Sequence, residues 1–312
     1  MTARAAVVLV TYNSAEHIEN CLSPLNKIAS AIEVVIVDND SRDNTVAIAQ
    51  KACLAPRVIQ NTTNTGFAIA VNQAVASTSA PVVVLLNPDC IIDSVSLLAL
   101  IDRLDADPTI GVIAPTIVHP DGRLAARSAG YQPSFTRMAS HALGLPRLPL
   151  IGRLARGFNL FPAGETPPDT DVEWVSGACF AVRRSTWDRL GGLSERWFMY
   201  AEDLDFCRRI SETGMRIVHT SRGHATHVVG ASSDSGSGPI WTLWIENLAD
   251  YYRLEFKPSR FTFASWKLVT ASIYASRGAL YQFRSYLPGR PDAGWRREAD
   301  KFFAYARAVL TV

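Results

Sequence analysis

The sequence has 312 residues, of which 48% are hydrophobic and 19% are charged, and its net charge is +2. This composition excludes a mainly disordered chain, because it supplies enough apolar side chains for a core. The five scattered cysteines, with no Cys-x-x-Cys pair, argue against a disulfide scaffold and a structural zinc site and predict a reducing environment.

The first 118 residues alternate between apolar runs and helix-like stretches. Strands are predicted at AAVVLVTY, EVVIVDN, RVIQN, PVVVLLN and IGVIAP, and helices near Glu16–Ile28, Asp43–Cys53, Ala68–Ala76 and Ser94–Leu104. Continuous Val, Ile and Leu strands separated by helices are typical of an α/β fold with a mostly parallel sheet covered on both faces.

Polar residues follow each of the first four predicted strands, at Thr11-Tyr12-Asn13, Asp38-Asn39, Asn61 and Asn87-Pro88-Asp89. In open α/β sheets the ligand crevice lies at the carboxyl ends of the strands, so these residues are expected to line one site. Asn and Asp also begin turns and cap helices. Four such positions in succession favour the ligand site.

Asn87 and Asp89 are two residues apart, so on an extended chain they face the same side. Hard divalent cations prefer oxygen ligands, and Mg²⁺ often takes one or two carboxylates plus phosphate oxygens. We therefore predict a cation at Asp89. The alternative is that Asp89 caps the helix beginning near Ser94, although Asp93 is nearer.

The periodicity fails from Pro133 to Val172, where ten of forty residues are Pro or Gly, and this predicts a long irregular loop over a site. The next stretch, Glu173–Arg183, reads as a strand. Its centre, Ser176-Gly177-Ala178, would let the backbone approach a ligand closely. A second polar loop at Ser232–Pro239 is a candidate hinge or lid.

An acidic cluster opens the predicted helix in FMYAEDLDFCRRI. First-turn acids complement the helix dipole, and Asp205 and Arg209 have the spacing of an i,i+4 ion pair, so the cluster alone favours a structural role. Two histidines follow about twenty residues later, in HATHVVGASS. Imidazole can join a carboxylate at a metal, which leaves His227 as a candidate ligand.

The C-terminal part is basic and aromatic, with predicted helices at Trp241–Glu255, Ser265–Arg284 and Trp295–Val309. From residue 256 onwards the charge is +7, so residues 1–255 carry −5. Basic and aromatic amphipathic helices suit an anionic bilayer surface, but a solvated helical subdomain or a dimer contact fits equally well. No nucleic-acid motif is present, so nucleic acid is not an expected partner.

The start of the chain lacks a signal-peptide pattern, and no stretch reaches the roughly 18 uninterrupted apolar residues of a membrane span. We therefore expect a cytoplasmic protein, with possible peripheral contact at the inner face of the cell membrane. The sequence predicts no oligomeric state.

Taken together, the motifs resemble those of family-2 inverting glycosyltransferases with a GT-A fold, and within them bacterial rhamnosyltransferase-type enzymes acting on cell-surface glycans. The matching segments, in family order over most of residues 5–233, are VVLVTYNS, IVDNDSRDNT, NTTNTGFAIAVNQA, LLNPD, VSGACFAVRRSTWDRLGGLSERWFMYAEDLDFCRRI and HVVGASS. The resemblance implies a GT-A domain at residues 1–240, with a nucleotide half at 1–118 and an acceptor half at 119–240, and a helical extension at 241–312.

The resemblance also implies roles for individual residues. Asp203 would be the general base, and Glu202 would help to position the acceptor. Asp89 and His227 would hold Mg²⁺ or Mn²⁺ beneath the diphosphate. The nucleotide sugar would lie against Thr11, Asn13, Asp38, Asn39, Asn64, Gly66 and Asn87, and the acceptor or sugar side would be lined by Ser176, Gly177 and Ala178.

One position departs from the family pattern. The usual metal motif is Asp-x-Asp, and its first position here is Asn87, which removes one charge and places strict metal dependence in question. The implied reaction moves a sugar, L-rhamnose from dTDP-rhamnose as the first candidate, to a glycan or lipid-linked acceptor. The alternatives are a UDP-sugar donor and a non-catalytic nucleotide-sugar-binding protein. A sugar-1-phosphate nucleotidyltransferase is disfavoured, because TYNSAEHIE has neither Gly nor a basic residue after the first strand.

Overall fold

The computed structural model describes residues 3–52, 54–123, 125, 128–147, 156–160, 169–228, 242–286 and 293–312. Within these ranges the strands are β1 (Ala5–Thr11), β2 (Ile32–Asn39), β3 (Arg57–Asn61), β4 (Val82–Leu86), β5 (Cys90–Ile92), β6 (Ile110–Val118), β7 (Ala129–Gly130), β8 (Asp169–Val172), β9 (Trp174–Val175), β10 (Cys179–Arg183) and β11 (Arg216–His227). The α-helices are α1 (Ile18–Leu22), α2 (Thr45–Gln50), α3 (Phe67–Ala76), α4 (Ser94–Ala106), α5 (Phe135–Ala142), α6 (Arg184–Leu190), α7 (Glu202–Glu212), α8 (Leu243–Phe256), α9 (Arg260–Ser285) and α10 (Ala293–Thr311), and 3₁₀ turns cover Ser23–Ile28 and Leu145–Arg147.

The main sheet has the strand order β3-β2-β1-β4-β10-β6-β11-β5, and β8 also pairs with β11. Strands β3, β2, β1 and β4 are parallel to their neighbours. Strand β10 is antiparallel to both β4 and β6, whereas β11 is parallel to β6 and antiparallel to β5 and β8. The predicted α/β class is confirmed: the first four paired strands form a parallel half, and the rest of the sheet is mixed.

The sheet core alternates along β1. Val7 and Leu9 belong to an apolar cluster with Cys21 and Leu22 of α1 and Leu100 of α4, all fully or nearly fully buried. The intervening residues of β1 are also buried, and α3 packs against β1 and β2. Burial on both faces explains why the strand is a continuous apolar run, and each such Val or Leu side chain contributes about 1.5–3 kcal/mol.

Helix α4 has its own cap. The Asp93 side chain accepts hydrogen bonds from the backbone N–H groups of Val95 and Ser96, both at 2.9 Å. This is the usual use of Asp at an N-cap. The alternative prediction, in which Asp89 caps this helix, is therefore wrong, and Asp89 is available for another role.

Two sequence-based expectations differ from the structure. The predicted strand Glu173–Arg183 is interrupted at residues 176–178, which separate β9 from β10. The stretch Pro133–Val172 is not wholly irregular, because it contains α5 and β8. Residues 148–155 and 161–168 of that stretch, and the candidate hinge Ser232–Pro239, lie outside the described residues.

The chain divides into two compact units, residues 1–130 with 164–235 and residues 131–163 with 236–312. The first unit contains the sheet. In the second, α9 packs on α10 and α5, and Trp266 Nε1 donates a hydrogen bond of 2.8 Å to the carbonyl of Pro133. The predicted boundary at residue 240 falls outside the described residues and stays a prediction.

Within the part of the chain that the structure describes, no helix is both long enough and apolar enough to cross a bilayer.

Candidate active site

The carboxyl ends of the parallel strands meet at one edge of the sheet. Thr11 pairs with Asp38, and Asn39 pairs with Asn61, at the ends of β1, β2 and β3. Strand β10 runs in the opposite direction, so its first residue pairs with the last residue of β4 and its beginning lies at the same edge. The polar residues predicted to line one crevice are thus brought to one edge.

Asp38 is buried at this edge and organises the turn beside it. Its Oδ1 accepts hydrogen bonds from Thr11 Oγ1 at 2.8 Å and Ser41 Oγ at 2.6 Å, and its Oδ2 accepts one from the Ser41 N–H at 2.9 Å. Asn13, at φ 50°, is exposed, and its Oδ1 accepts a bond of 2.8 Å from the N–H of Arg42. Thr11 and Asp38 therefore form a buried floor, and Asn13 stands at the surface.

Asn39 holds the loop that leads into α3. Its Nδ2 donates to the carbonyl of Gly66 at 2.9 Å. Its Oδ1 accepts from Asn61 Nδ2 at 2.9 Å and from Thr65 Oγ1 at 3.2 Å. The Asn39 side chain, itself buried, therefore fixes the Asn64–Gly66 turn, in which the Gly66 N–H donates to Asn64 Oδ1 at 3.0 Å.

Gly66 also meets the segment that precedes α7. Its φ is +88°, and an added Cβ would lie 2.4 Å from the carbonyl oxygen of Phe198. The next N–H, from Phe67, donates to that same oxygen at 2.7 Å. Both N–H groups at the start of α3 thus have protein acceptors: the Gly66 N–H closes its own turn on Asn64, and the Phe67 N–H joins α3 to the chain before the acidic cluster. Only glycine fits this position, because of both the conformation and the close approach.

Asp89 and His227 come together because two strands pair. Cys90 of β5 is the register partner of His227, and the N–H of Val228 donates to the carbonyl of Asp89 at 3.0 Å. This pairing brings His227 Nε2 to 3.1 Å from Asp89 Oδ1, with both side chains largely buried. By contrast, His224 on the same strand is exposed.

The Asp89–His227 pair fits a divalent cation that shares its coordination with another ligand. Two ligands at about 2.1 Å from an octahedral ion lie about 3 Å apart when adjacent, close to the separation of these two atoms. Within the described ranges no group of three or more His, Cys, Asp or Glu side chains could hold a metal. The remaining ligands would have to be diphosphate oxygens or water.

The acidic cluster contains one residue with an arginine partner, Asp205, and two residues, Glu202 and Asp203, that have no cationic partner among the described residues. Asp205 is buried, and its Oδ2 accepts a hydrogen bond from Arg209 Nε at 2.7 Å, which confirms the predicted ion pair. Glu202 is buried and its Oε2 has no hydrogen-bond partner in the described part of the chain. Asp203 is partly exposed, with Oδ2 accepting from the Gly177 N–H at 3.1 Å and Oδ1 from the Leu204 N–H at 2.8 Å.

Burial changes the acidity of both unpaired carboxyl groups. Loss of hydration raises the pKa of Glu202 well above its ordinary value, and the adjacent charge of Asp203 raises it further. Burial also raises the pKa of Asp203, and the backbone N–H bonds oppose this rise only in part. A carboxylate with a raised pKa is a stronger base, so Asp203 is chemically suited to accept a proton.

The backbone leading into these acids is strained. Tyr200 and Ala201 have φ values of 73° and 76°, a conformation that costs a residue with a side chain about 1–2 kcal/mol. Strain of this kind often occurs at functional sites, where the surrounding structure enforces it. No feature of the sequence signals it, since neither residue is Gly or Asn.

One short segment, residues 176–178, is hydrogen-bonded both to Asp203 and to Asn87, which lies two residues before Asp89. The N–H of Asn87, two residues before Asp89, donates to the carbonyl of Ala178 at 2.9 Å, and the N–H of Gly177 holds Asp203. Ser176 closes the turn, because its Oγ accepts from the N–H of Ala178 at 3.2 Å. Residues 176–178, which are predicted to line the acceptor side, therefore connect the chain just before Asp89 to the candidate base, Asp203.

Comparison with known proteins identifies the class. Residues 6–155 match the family model for Glycosyl transferase family 2. Over 242 residues the chain is 31% identical to N-acetylglucosaminyl-diphospho-decaprenol L-rhamnosyltransferase of Mycobacterium tuberculosis strain H37Rv, covering 73% of this chain and 76% of that protein. The chain belongs to glycosyltransferase family 2. The enzyme class and the rhamnosyltransferase-like family predicted from the sequence are confirmed.

Other relatives extend the comparison. The O-antigen biosynthesis protein RfbC of Myxococcus xanthus is 26% identical over 221 residues, covering 70% of this chain and 16% of that protein. Among solved structures, the mannosyltransferase PcManGT from Pyrobaculum calidifontis, in complex with GDP-Man and Mn²⁺, aligns with a TM-score of 0.61 at 18% identity and covers 100% of this chain and 87% of that one.

The S. aureus TarS 1-349 structure in complex with UDP-GlcNAc aligns with a TM-score of 0.52 at 16% identity, covering 99% of this chain and 90% of that one. At these identities the likeness shows the fold, which is the predicted GT-A fold with C-terminal helices.

Proposed function

We propose that this family-2 glycosyltransferase transfers a sugar, with inversion, from a nucleoside diphosphate sugar to an acceptor hydroxyl. The observation that carries the proposal is that one backbone segment, residues 176–178, is hydrogen-bonded both to Asn87, two residues before Asp89 of the Asp89–His227 pair, and to Asp203. A cation-binding pair and a base joined in this way suit a reaction in which diphosphate leaves as a hydroxyl group is deprotonated.

In the proposed reaction, Asp203 removes the proton from the acceptor hydroxyl. The oxygen attacks the anomeric carbon from the face opposite the nucleotide, and the bond to the diphosphate breaks. The bonds from Gly177 and Leu204 fix the carboxylate, and its partial exposure gives an acceptor access to it. Glu202, which is buried beside it, helps to position the acceptor side of the site.

Asp89 and His227 are the residues that would hold Mg²⁺ or Mn²⁺. When bound, the cation acts as a Lewis acid for the departing diphosphate. The neutral Asn87 has no hydrogen bond from its side chain to a described residue, and its backbone N–H is fixed by Ala178. Its amide oxygen is therefore an uncharged group that would contact the cation or the nucleotide sugar, at the position where the family pattern has a carboxylate.

The donor nucleotide is assigned to the sheet edge beside β1 and β2. Asn13 is the exposed contact, over the buried pair Thr11 and Asp38, and Asn39 supports it by fixing the Asn64–Gly66 turn. These residues would surround the base and ribose. The segment hydrogen-bonded to Asn87 and to Asp203 consists of Ser176, Gly177 and Ala178. These three residues would therefore border the sugar and the acceptor.

The identity of the substrates is proposed from the relatives. The Mycobacterium tuberculosis protein is named as an L-rhamnosyltransferase acting on an N-acetylglucosaminyl-diphospho-decaprenol, which supports dTDP-rhamnose as donor and a lipid-linked or cell-surface glycan as acceptor. The alternative is a UDP-sugar donor, because the TarS structure with a similar fold holds UDP-GlcNAc. Catalysis at the inner face of the cell membrane would follow from a lipid-linked acceptor.

Calorimetric binding of dTDP, UDP and GDP, with and without Mg²⁺ or Mn²⁺, tests the donor assignment. We expect tight dTDP binding that needs the cation, and an Asp89→Asn variant in which the cation no longer improves affinity. Asp102→Asn, an exposed substitution on α4, is the matched control. Preference for UDP would replace the rhamnosyl donor, and failure of a folded protein to bind any of the three would refute the donor site.

A further inference from the structure

Helix α9 has an unusual charge pattern for an exposed element. Its 26 residues include four basic side chains and no acidic one. Several large apolar side chains on it are exposed, from Phe261 at 83% and Leu268 at 63% to Phe283 at 63% and Tyr286, just beyond its end, at 67%. Positions 261, 268, 283 and 286 fall on one side of a helix with 3.6 residues per turn. We call this side the α9 outer face.

The other exposed residues between them are Ala264, Ser272, Ser276, Ala279, Leu280 and Gln282, all of which are uncharged. The α9 outer face therefore carries no charge along a helix of about 39 Å. The basic residues of α9 beyond its first turn are directed elsewhere. Lys267 Nζ donates to the carbonyls of Leu310 and Val312, and the Arg284 guanidinium lies over the ring of Trp295.

Free positive charge is concentrated where α8 turns into α9. This α8–α9 corner, residues 253–261, contains three exposed basic residues, Arg253, Lys257 and Arg260, and one acidic residue. The three basic side chains form no ion pair with any residue of the described ranges. Phe261 projects from the same corner, which therefore combines cations with an exposed aromatic ring.

The α8–α9 corner is rigidly built. Lys257 ends α8 in the left-handed conformation at φ 43°, and Ser259 begins α9 by accepting the Thr262 N–H at 3.1 Å. Behind it, the ring of Tyr252 stacks on Trp266 at 4.4 Å and on Phe256 at 4.9 Å. The corner's cations are thus presented on a fixed turn and need little ordering upon binding.

We propose that the α8–α9 corner and the α9 outer face form a docking surface for an anionic lipid bilayer. The cations lie against lipid headgroups, and the uncharged face with its aromatic residues enters the interface, as in amphipathic helices that lie in the membrane plane. A second copy of the chain is less suitable, because symmetric pairing would bring the same basic side chains together. The surface deepens the proposed function, since it would deliver the enzyme to a lipid-linked acceptor.

Vesicle flotation of the full chain tests the surface without any substrate. We expect the protein to float with vesicles of phosphatidylcholine and phosphatidylglycerol, to release at high salt, and to remain free with phosphatidylcholine alone. Each basic residue near the surface changes affinity by about fivefold. Lys257→Gln with Arg260→Gln should therefore lower the affinity about tenfold or more, whereas Lys27→Gln with Lys51→Gln, two exposed lysines of the sheet unit, should not.

A second pair of variants tests the contribution of the exposed apolar side chains to vesicle binding. Phe261→Ser should weaken vesicle binding several-fold, whereas Val95→Ser, at a position 76% exposed on α4, should leave it unchanged. Absence of vesicle binding by the natural sequence, or equal binding to both vesicle types, would overturn the proposal. The proposal would also be overturned if the natural protein did not bind vesicles but self-associated, and if Phe261→Ser abolished that self-association. Nucleotide calorimetry on the same variants separates a failed docking surface from a failed donor site.

Discussion

The proposed donor and acceptor sides of this site treat their buried carboxylates differently. Asp38, on the donor side, accepts three hydrogen bonds from neighbouring groups, and the backbone around it belongs to regular strands and turns. Glu202, on the acceptor side, is equally buried but leaves Oε2 without a described partner, directly after two strained residues. Asp203 beside it has a raised pKa.

On the proposed function, this difference separates a carboxylate that holds structure from carboxylates that take part in the reaction. A satisfied buried carboxylate stabilises its surroundings, whereas an unpaired one costs stability and keeps its reactivity. Asp205, three residues after Glu202, belongs to the first kind, because Arg209 pairs with it. Neighbours in sequence can therefore belong to opposite kinds, and each of the following experiments tests that division.

Removal of the base should have the largest effect. Asp203→Asn keeps the shape of the side chain but cannot accept the acceptor's proton, so kcat should fall by about 100-fold or more while nucleotide affinity is unchanged. Steady-state kinetics and calorimetry measure the two quantities. Glu212→Gln, at the exposed end of the same helix, is the control. Normal turnover in Asp203→Asn would remove that residue from the mechanism.

Gly66 tests whether the two sides are mechanically joined. In Gly66→Ala the new Cβ would clash with the Phe198 carbonyl in a left-handed conformation, so we expect a loss of about 2 kcal/mol or more in the free energy of unfolding. Gly122→Ala, also at positive φ but with open space around it, measures the conformational part alone. Equal losses in urea unfolding would show that the contact with Phe198 adds nothing.

Asp38→Asn tests the structural side of the comparison. An amide cannot accept on its nitrogen, so at least one donor among Thr11 and Ser41 loses its partner, and unfolding free energy should fall by about 1–3 kcal/mol. Any loss of dTDP affinity should follow from disorder in this turn. A variant as stable as the natural protein would show that the network is not structural.

Glu202 should give the smallest effect and the most distinctive pH dependence. Its folded pKa is raised, so the folded state binds the proton more tightly than the unfolded chain, whose glutamate has a pKa of about 4.3. The contribution of Glu202 to the free energy of unfolding is therefore full below about pH 4, and it is lost as the pH rises through the raised pKa of the folded state.

Glu202→Gln should reduce that decline, with the raised pKa of Asp203 leaving the remainder, and should be more stable than the natural protein at neutral pH, as measured by thermal unfolding across pH. Glu212→Gln should retain the decline. A natural protein whose unfolding shows no such decline would place Glu202 in a solvated setting.

The parallel half of the sheet was predictable because its strands are buried on both faces and so read as apolar runs. Strand β11 was not, because RIVHTSRGHATH alternates irregularly around a break in register between Thr220 and His224. The closeness of His227 to Asp89 depends on that strand's pairing with the three-residue β5, which is too short to recognise from its sequence. Helix α5 was not predicted, because the Pro and Gly residues around it interrupt the helical pattern of the sequence.

The roles proposed for Glu202 and Asp203 came only from the resemblance, and they stay predictions. Spacing alone gave Asp205 and Arg209, which the structure bears out, and it favoured a structural role for the whole cluster. Among the described residues Glu202 and Asp203 have no cationic partner, and Asp203 accepts the N–H of Gly177. Both features are properties of the tertiary structure.

The segment at residues 176–178 has a consequence for mutational robustness. Its bonds to Asn87 and Asp203 leave from main-chain atoms of Ala178 and Gly177, so neither bond depends on the side chain at position 177 or 178, whereas the Ser176 side chain closes the turn. Even a Cβ added at Gly177 would lie no closer than 3.4 Å to a neighbouring atom. Substitutions at positions 177 and 178 could therefore change the surface of the proposed acceptor side while both bonds are kept.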